Sequence, residues 1–215
     1  MSQKLPAAEV QTQLPGWRVL MGSVYATFDT GDFNTGARFV AEIARLADAP
    51  DHHPHVVLRY PNVSVQIFSH DVGGLTSRDV GLARQITELA ESHAVAVDLA
   101  APQVTEIGID ALDIPAVKPF WLAVLAYRDV DQVSIEDPRG KGSTVWFQQM
   151  DEPRKQRNRI HFDVWVPHDQ AEARIAAAVA AGGRVVSDTE APAFWVLADV
   201  EGNEACVCTW QSRTD

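Results

Sequence analysis

The sequence predicts an α+β protein of two domains, an antiparallel sheet with helices on one face followed by paired β-α-β-β-β modules. Three observations point there. Up to about residue 99 the segments run α, β, β, α, β, β, α, the order of a sheet layered with helices. The remainder carries a weak internal repeat. Residue types also segregate: five of seven histidines (52, 53, 55, 70, 93) precede residue 100, and five of six tryptophans (121, 146, 165, 195, 210) follow it. The stretch Asp98 to Gln103, DLAAPQ, lacks periodicity and reads as a linker, giving domains 1–99 and 103–212.

In the first domain, Ala7 to Leu14 reads as a short helix stopped by Pro15 and Gly16, and Trp17 to Met21 and Ser23 to Phe28 as β-prone segments around Gly22. Phe33, Ala37, Phe39, Val40, Ile43, Ala44 and Leu46 recur at helical spacing through about Ala47, with Asn34 or Thr35 as cap. Val56 to Tyr60 and Val63 to Ser69 alternate as two strands across a Pro61-Asn62 turn, and Gly73 and Gly74 break the pattern. Thr76 opens a helix with an apolar face of Val80, Leu82, Ala83, Ile86 and Leu89.

In the second domain, Val104 to Ile109 reads as a strand leading to a helix around Val117 to Leu125, and Ile160 to Val166 as a strand leading to the helix Gln170 to Ala181. Glu106 then matches His161, and Asp113 matches His168. Val133 to Ile135 and Thr144 to Gln148 complete the first module, with one strand hard to see. Arg184 to Val186, Phe194 to Ala198 and Ala205 to Trp210 complete the second.

Composition narrows the function. A formal net charge of −11 over 215 residues argues against a nucleic-acid binder, which needs a basic face for phosphates. No apolar run approaches the roughly 18 residues of a membrane span, and Met1 to Val10 lacks the apolar stretch of a secretory signal, so a soluble cytoplasmic protein is expected. Cys206 and Cys208, two apart on one strand, share a face and do not easily bridge, which fits a reducing compartment.

The densest chemistry is Asp51-His52-His53-Pro54 followed by His70-Asp71. Proline disfavours helical geometry at the residue before it, which places the two imidazoles at a helix-to-strand corner. A hairpin then returns His70 near that corner, and the three rings converge. Imidazole titrates near neutral pH, so such a cluster suits general acid and base catalysis. Three histidines also make a zinc set, but adjacent residues point apart and no i, i+4 His pair is present. Thr76-x-x-Asp79 is capping-box spacing, so capping is the first reading of Asp79 and orienting a pocket histidine the second.

DHHP at 51–54, with Tyr60, Val63, Val65, His70-Asp71, Gly73-Gly74-Leu75-Thr76, Arg78-Asp79 and Leu82-Ala83, resembles the pterin-4a-carbinolamine dehydratase family over about residues 5–93. The resemblance implies dehydration of a 4a-hydroxytetrahydropterin to the quinonoid dihydropterin, a step of tetrahydrobiopterin recycling that needs no cofactor. By position it implies His52, His53 and His70 as catalytic, with Asp51, Pro54, Asp71 and Asp79 as substrate-binding or orienting residues. Which histidine is acid and which base stays open. His55 stands where the family often has an acidic residue, and Pro50 is unusual for its place at a helix end.

Asp113, Phe120-Trp121, Leu125, Tyr127, residues 145–148 and 157–163, Ala181-Gly182-Gly183 and residues 201–204 resemble the glyoxalase-like branch of the vicinal oxygen chelate superfamily over about residues 103–211. That resemblance implies a half-open barrel and, in many members, a divalent metal; the matching places fall near Glu106, Gln148, His161 and Cys206. The set is mixed, a neutral amide and a soft thiolate among harder donors. Trp146, Trp165, Trp195 and Trp210 fall on strand-like segments, as barrel-mouth stacking residues or as core. The expected partner is a pterin substrate, with no nucleic acid or membrane and a homodimer as candidate assembly. Two other readings stay open: a non-catalytic small-molecule-binding or assembly protein using the second domain, and a metal-dependent enzyme of the chelate superfamily.

Overall fold

A computed structural model describes residues 3–153, 162–166, 170–209, 211 and 212. The chain divides into two compact units, Met1–Val104 and Thr105–Asp215.

The first unit begins with α1 (Ala7–Gln13), a helix too short to persist alone. It is anchored by buried Val10 and by the Gln11 side chain, which donates to the Leu14 and Trp17 carbonyls and accepts from the Val19 amide. Strands β1 (Arg18–Leu20) and β2 (Ser23–Asp29) lead to α2 (Phe33–Asp48). Asp32, two residues before Asn34 and three before Thr35, caps α2 by accepting the Thr35 amide. Phe33 sits in the first turn and is 53% exposed, so it lies off the apolar face expected to contain it; Phe39, Ile43 and Ala47 are buried.

Strands β3 (His55–Arg59) and β4 (Asn62–Ile67) form the expected hairpin, with the turn one residue earlier, at Tyr60-Pro61. Helix α3 (Ser77–Ser92) follows. A further strand, β5 (Ala96–Asp98), pairs with β2 and reaches the first residue of the expected linker; its residues are all exposed, so no burial pattern marked it. The sheet is antiparallel in the order β1-β2-β4-β3, with β5 also on β2. Val24, Ala26 and Phe28 of β2 and Val63, Val65 and Ile67 of β4 meet the helices in one core. Trp17, Phe28 and Phe39 pack edge to face within it, and the Trp17 indole donates to Thr87.

The second unit contains two modules of the same design. The first runs β6 (Glu106–Ala111), α4 (Ile114–Leu125), β7 (Arg128–Asp129), β8 (Ser134–Glu136) and β9 (Thr144–Gln149). The second runs β10 (Phe162–Trp165), α5 (Ala171–Ala180), β11 (Arg184–Ser187), β12 (Phe194–Ala198) and β13 (Glu204–Cys208). The strand that the sequence hides is β7, two exposed residues long. In each module the first strand lies parallel beside the last, giving the orders β6-β9-β8-β7 and β10-β13-β12-β11. No strand pairing joins the two sheets among the described residues, so the barrel is not closed.

Asp113 caps α4, which therefore starts three residues before Val117; its sequence match, His168, lies outside the described residues. Ile109, Phe147, Leu197 and Val207 face the helices with Phe120 and Trp121 in the core of this unit. The Glu201 carboxylate ties the modules together by accepting from the Leu112 and Asp113 amides. Asp137 is held similarly: burial pushes its carboxyl up, but the Arg139 guanidinium and the amides of Arg139, Gly142 and Lys141 hold it well below the ordinary carboxylate range.

Candidate active site

Helix α2 ends at Asp48, and the chain reverses through Asp51, whose φ of 51° is left-handed. The His52 amide returns to the Ala47 carbonyl at 3.1 Å. This corner separates the adjacent histidines: His52 is 7% exposed, whereas the His53 side chain is 57% exposed.

His52 Nε2 lies 2.9 Å from Asp79 Oδ1. Asp79 is fully buried in the first turn of α3, and its Oδ2 accepts from the Thr76 amide (2.6 Å), Ser69 Oγ (2.8 Å) and Thr76 Oγ1 (3.1 Å). The capping box is thus formed, and the same carboxylate also holds a histidine, so both readings of Asp79 apply. With Oδ2 occupied by three donors, Oδ1 is left to accept from His52. A carboxylate that only accepts places the His52 proton on Nε2 and leaves Nδ1 for exchange.

His53 Nε2 lies 3.1 Å from Asp48 Oδ1, and its Nδ1 3.6 Å from Asp51. Pro54 is half-buried and directs the chain into β3. His70 does not close a strand as expected: β4 stops at Ile67, and His70 sits in a turn bracketed by the Ser69–Gly74 bridge. It is exposed, with its ring 3.9 Å from that of Phe68 and 5.8 Å from that of His55. His70 is nonetheless tied to His52, because its neighbour Ser69 bonds to Asp79. Asp71 pairs with Arg78, whose guanidinium bond holds the Asp71 carboxyl below its ordinary range. Lys4 donates to the Gly73 carbonyl and fastens the same turn.

Phe68, Ser69 and His55 are further residues of the site that no motif or spacing in the sequence marks as functional. None stands out in composition; the β3–β4 register, which sets His55 opposite Gln66, brings them to the site.

Of the candidate metal set of the second unit, Glu106 and Gln148 are held apart by strand register. Glu106 is in register with Thr144, and Gln148 with Asp110, four residues away, or about 13 Å along the strands. Trp146 fills the ground between: a Cβ on Gly108 would meet its indole at 3.2 Å. Cys206 is buried, and burial, the neighbouring Asp163 and Cys208 push its thiol up to about 11, so in the metal-free protein it is a thiol rather than a thiolate. His161 lies outside the described residues, and no group of three or more candidate ligands is found among those described. The described donors do not fit a divalent ion. Trp195 packs with the helix-side core, and Trp210 lies outside the described residues.

Among the described residues, no helix is long and apolar enough to cross a membrane.

Comparison with known proteins divides the chain in the same way. A family described as pterin 4 alpha carbinolamine dehydratase matches residues 3–89, and one described as glyoxalase-like domain matches residues 106–208. A protein of Thermomicrobium roseum named "Putative pterin-4-alpha-carbinolamine dehydratase" is 35% identical over 83 residues, 39% of this chain and 89% of its own length. A protein of the same name from Chloroflexus aurantiacus is 37% identical over 89 residues, 40% of this chain and 96% of its own. Of solved structures, a transcriptional coactivator/pterin dehydratase from Brucella melitensis is 29% identical, covering 41% of this chain and 99% of its own, at a TM-score of 0.39. A glyoxalase/bleomycin resistance protein/dioxygenase family enzyme from Burkholderia phytofirmans is 15% identical, covering 50% and 98%, at 0.42.

Proposed function

We propose, because the chain belongs to the pterin 4 alpha carbinolamine dehydratase family, that its first unit dehydrates a 4a-hydroxytetrahydropterin to the quinonoid dihydropterin by histidine acid and base catalysis. The observation that carries this reading is the buried His52–Asp79 pair, whose carboxylate is saturated by donors on its other oxygen. Such a carboxylate fixes both ring orientation and tautomer, the arrangement a proton-transferring imidazole needs.

The reaction expels the C4a hydroxyl as water. One proton reaches the leaving oxygen, and one leaves a ring nitrogen as the new double bond forms, so protons balance and no redox partner is required. His52 receives the ring proton at Nδ1. Exposed His70 delivers the other, and exposed His53 contacts the substrate. Asp51 and Pro54 shape the corner that aims His52 and His53 apart, and Asp71 with Arg78 braces the turn that bears His70.

The test is the dehydration rate of freshly generated 4a-hydroxytetrahydropterin with the wild-type protein and a His52→Ala, His53→Ala double variant, folding being checked by circular dichroism. Acceleration by the wild type and none by the folded variant is expected; no acceleration by the wild type overturns the assignment.

For the second unit we propose a metal-independent small-molecule-binding role, supported by the four-residue offset of Glu106 from Gln148 across β6 and β9. A stoichiometric divalent ion in protein purified with such ions present would refute it.

A further inference from the structure

The three candidate catalytic imidazoles are held in two different ways. His52 and His53 each commit Nε2 to a carboxylate, at 2.9 and 3.1 Å. The described contacts of His70 are instead with rings. Its ring meets that of Phe68 in a close tilted contact, at a centroid distance of 3.9 Å and an interplanar angle of 49°. His55 stands edge-on to Phe68, at 5.7 Å and 89°, and 5.8 Å from His70. Phe68 is half-buried and follows β4 directly, and His55 is the first residue of β3, so the hairpin fixes both against the turn that carries His70.

We propose that Phe68 and His55 are positioning residues for His70, an aromatic holder that fixes the plane of its ring while leaving both ring nitrogens free. The chemical consequence is specific. An imidazole bonded to a carboxylate has one nitrogen for exchange, whereas His70 takes a proton on one nitrogen and releases it from the other. That makes His70 the imidazole suited to deliver a proton to the leaving hydroxyl and be refilled from solvent. The holder consists of two rings whose described contacts with His70 are ring contacts, so its role is geometric: Phe68 reaches the reaction only through His70.

The inference rests on the proposed dehydratase function for its kinetic arm, and a structural arm stands apart from it. In two-dimensional NMR, the His70 ring protons of the wild type should show the ring-current displacement of a nearby phenyl face. Phe68→Leu, which keeps apolar bulk but removes the ring, should abolish that displacement, and Phe68→Tyr should keep it. In turnover, Phe68→Leu should lower kcat about 10- to 100-fold, the scale of a catalytic group displaced by about an ångström, with KM unchanged within about twofold. Phe68→Tyr should restore kcat, and His55→Phe, which keeps an aromatic edge, should retain more of it than His55→Ala. Unchanged His70 shifts in Phe68→Leu overturn the proposal whatever the activity. An unchanged kcat, or a loss that Phe68→Tyr does not restore, overturns it while leaving the dehydratase assignment standing. A wild type without dehydratase activity removes the kinetic role, and the assigned function falls with it.

Discussion

Replacing Asp79 by asparagine puts the central arrangement under the sharpest strain, because shape is conserved and only hydrogen-bond polarity changes. Oδ2 of Asp79 accepts three donors, from Ser69 Oγ, Thr76 Oγ1 and the Thr76 amide. An asparagine satisfies them only by turning its carbonyl toward them, which presents its NH2 to His52 Nε2. That nitrogen must then accept, so the His52 proton moves to Nδ1, the atom assigned to receive the substrate proton. Hydrogen bonds to a charged group are worth about 1.5 to 3 kcal/mol and neutral ones about 0.5 to 1.5, while a buried charge no longer needs desolvating. These opposed terms leave a net destabilisation of about 2 kcal/mol. Alanine, by contrast, strands three donors and His52, at about 3 to 5 kcal/mol. The kinetic effect of asparagine should be larger than its stability effect: a wrong tautomer costs about 10⁴ in kcat in the serine-protease triad, and about 10² to 10⁴ is expected here. Urea unfolding followed by circular dichroism gives the stability change, dehydration kinetics on the folded variant gives kcat, and ¹⁵N shifts of the His52 ring read the tautomer. A kcat within about threefold of wild type, or an unmoved His52 proton, would refute the reasoning.

The remaining predictions address other parts of the chain. Ser69→Ala removes one of the three donors on Asp79 Oδ2 and should cost about 1.5 to 3 kcal/mol in urea unfolding. Cys206 should resist iodoacetamide in the native protein at pH values where an unperturbed thiol reacts. Its folded-state pKa lies above its ordinary value of 9.0, so its stabilising contribution is complete below pH 9 and is lost as pH rises through about 11; unfolding midpoints across that window measure the loss. Asp137→Ala strips the acceptor from three backbone amides and the Arg139 guanidinium, and a loss of about 2 to 4 kcal/mol is expected in thermal or urea unfolding. Gly183→Ala places a methyl 2.2 Å from Phe120 and 2.9 Å from the Ala178 carbonyl; the carbonyl belongs to backbone that cannot step aside, so about 1 to 3 kcal/mol or more should be lost.

The parts legible in the sequence were those that repeat along it. The apolar spacing of Phe39, Ile43 and Ala47, the alternation of Val63, Val65 and Ile67, and the doubled β-α segments of the second unit all appear in the structure, because burial on one face imposes a period. What escaped was register and exposure. Glu106 and Gln148 occupy sensible places on two parallel neighbours, yet pairing sets Glu106 across from Thr144, and no spacing within one strand reveals an offset against another. Strands β5 and β7 are short and wholly exposed, so they carry no alternation to read. The His52-His53-Pro54 corner was visible, but the left-handed Asp51 that turns one ring inward and leaves the other outside is a backbone property.

That division at Asp51 makes the site asymmetric, and the asymmetry bears on mechanism. Three imidazoles of equal exposure and equal partners would exchange protons alike, and no sequence argument could rank them. Here one is buried on a carboxylate, one is exposed beside two carboxylates, and one is exposed on a phenyl ring. Dehydration needs a group that takes a proton from a fixed ring position and another that hands one to a departing oxygen and recovers it from solvent. A buried, singly available nitrogen suits the first task because its direction is constrained, and an exposed ring with two available nitrogens suits the second because it can be reloaded. His53, between Asp48 and Asp51, is then left for substrate contact more than for proton delivery. A His53→Gln variant should therefore raise KM more than it lowers kcat, whereas His70→Gln should do the reverse; the opposite pattern in steady-state kinetics would exchange their roles.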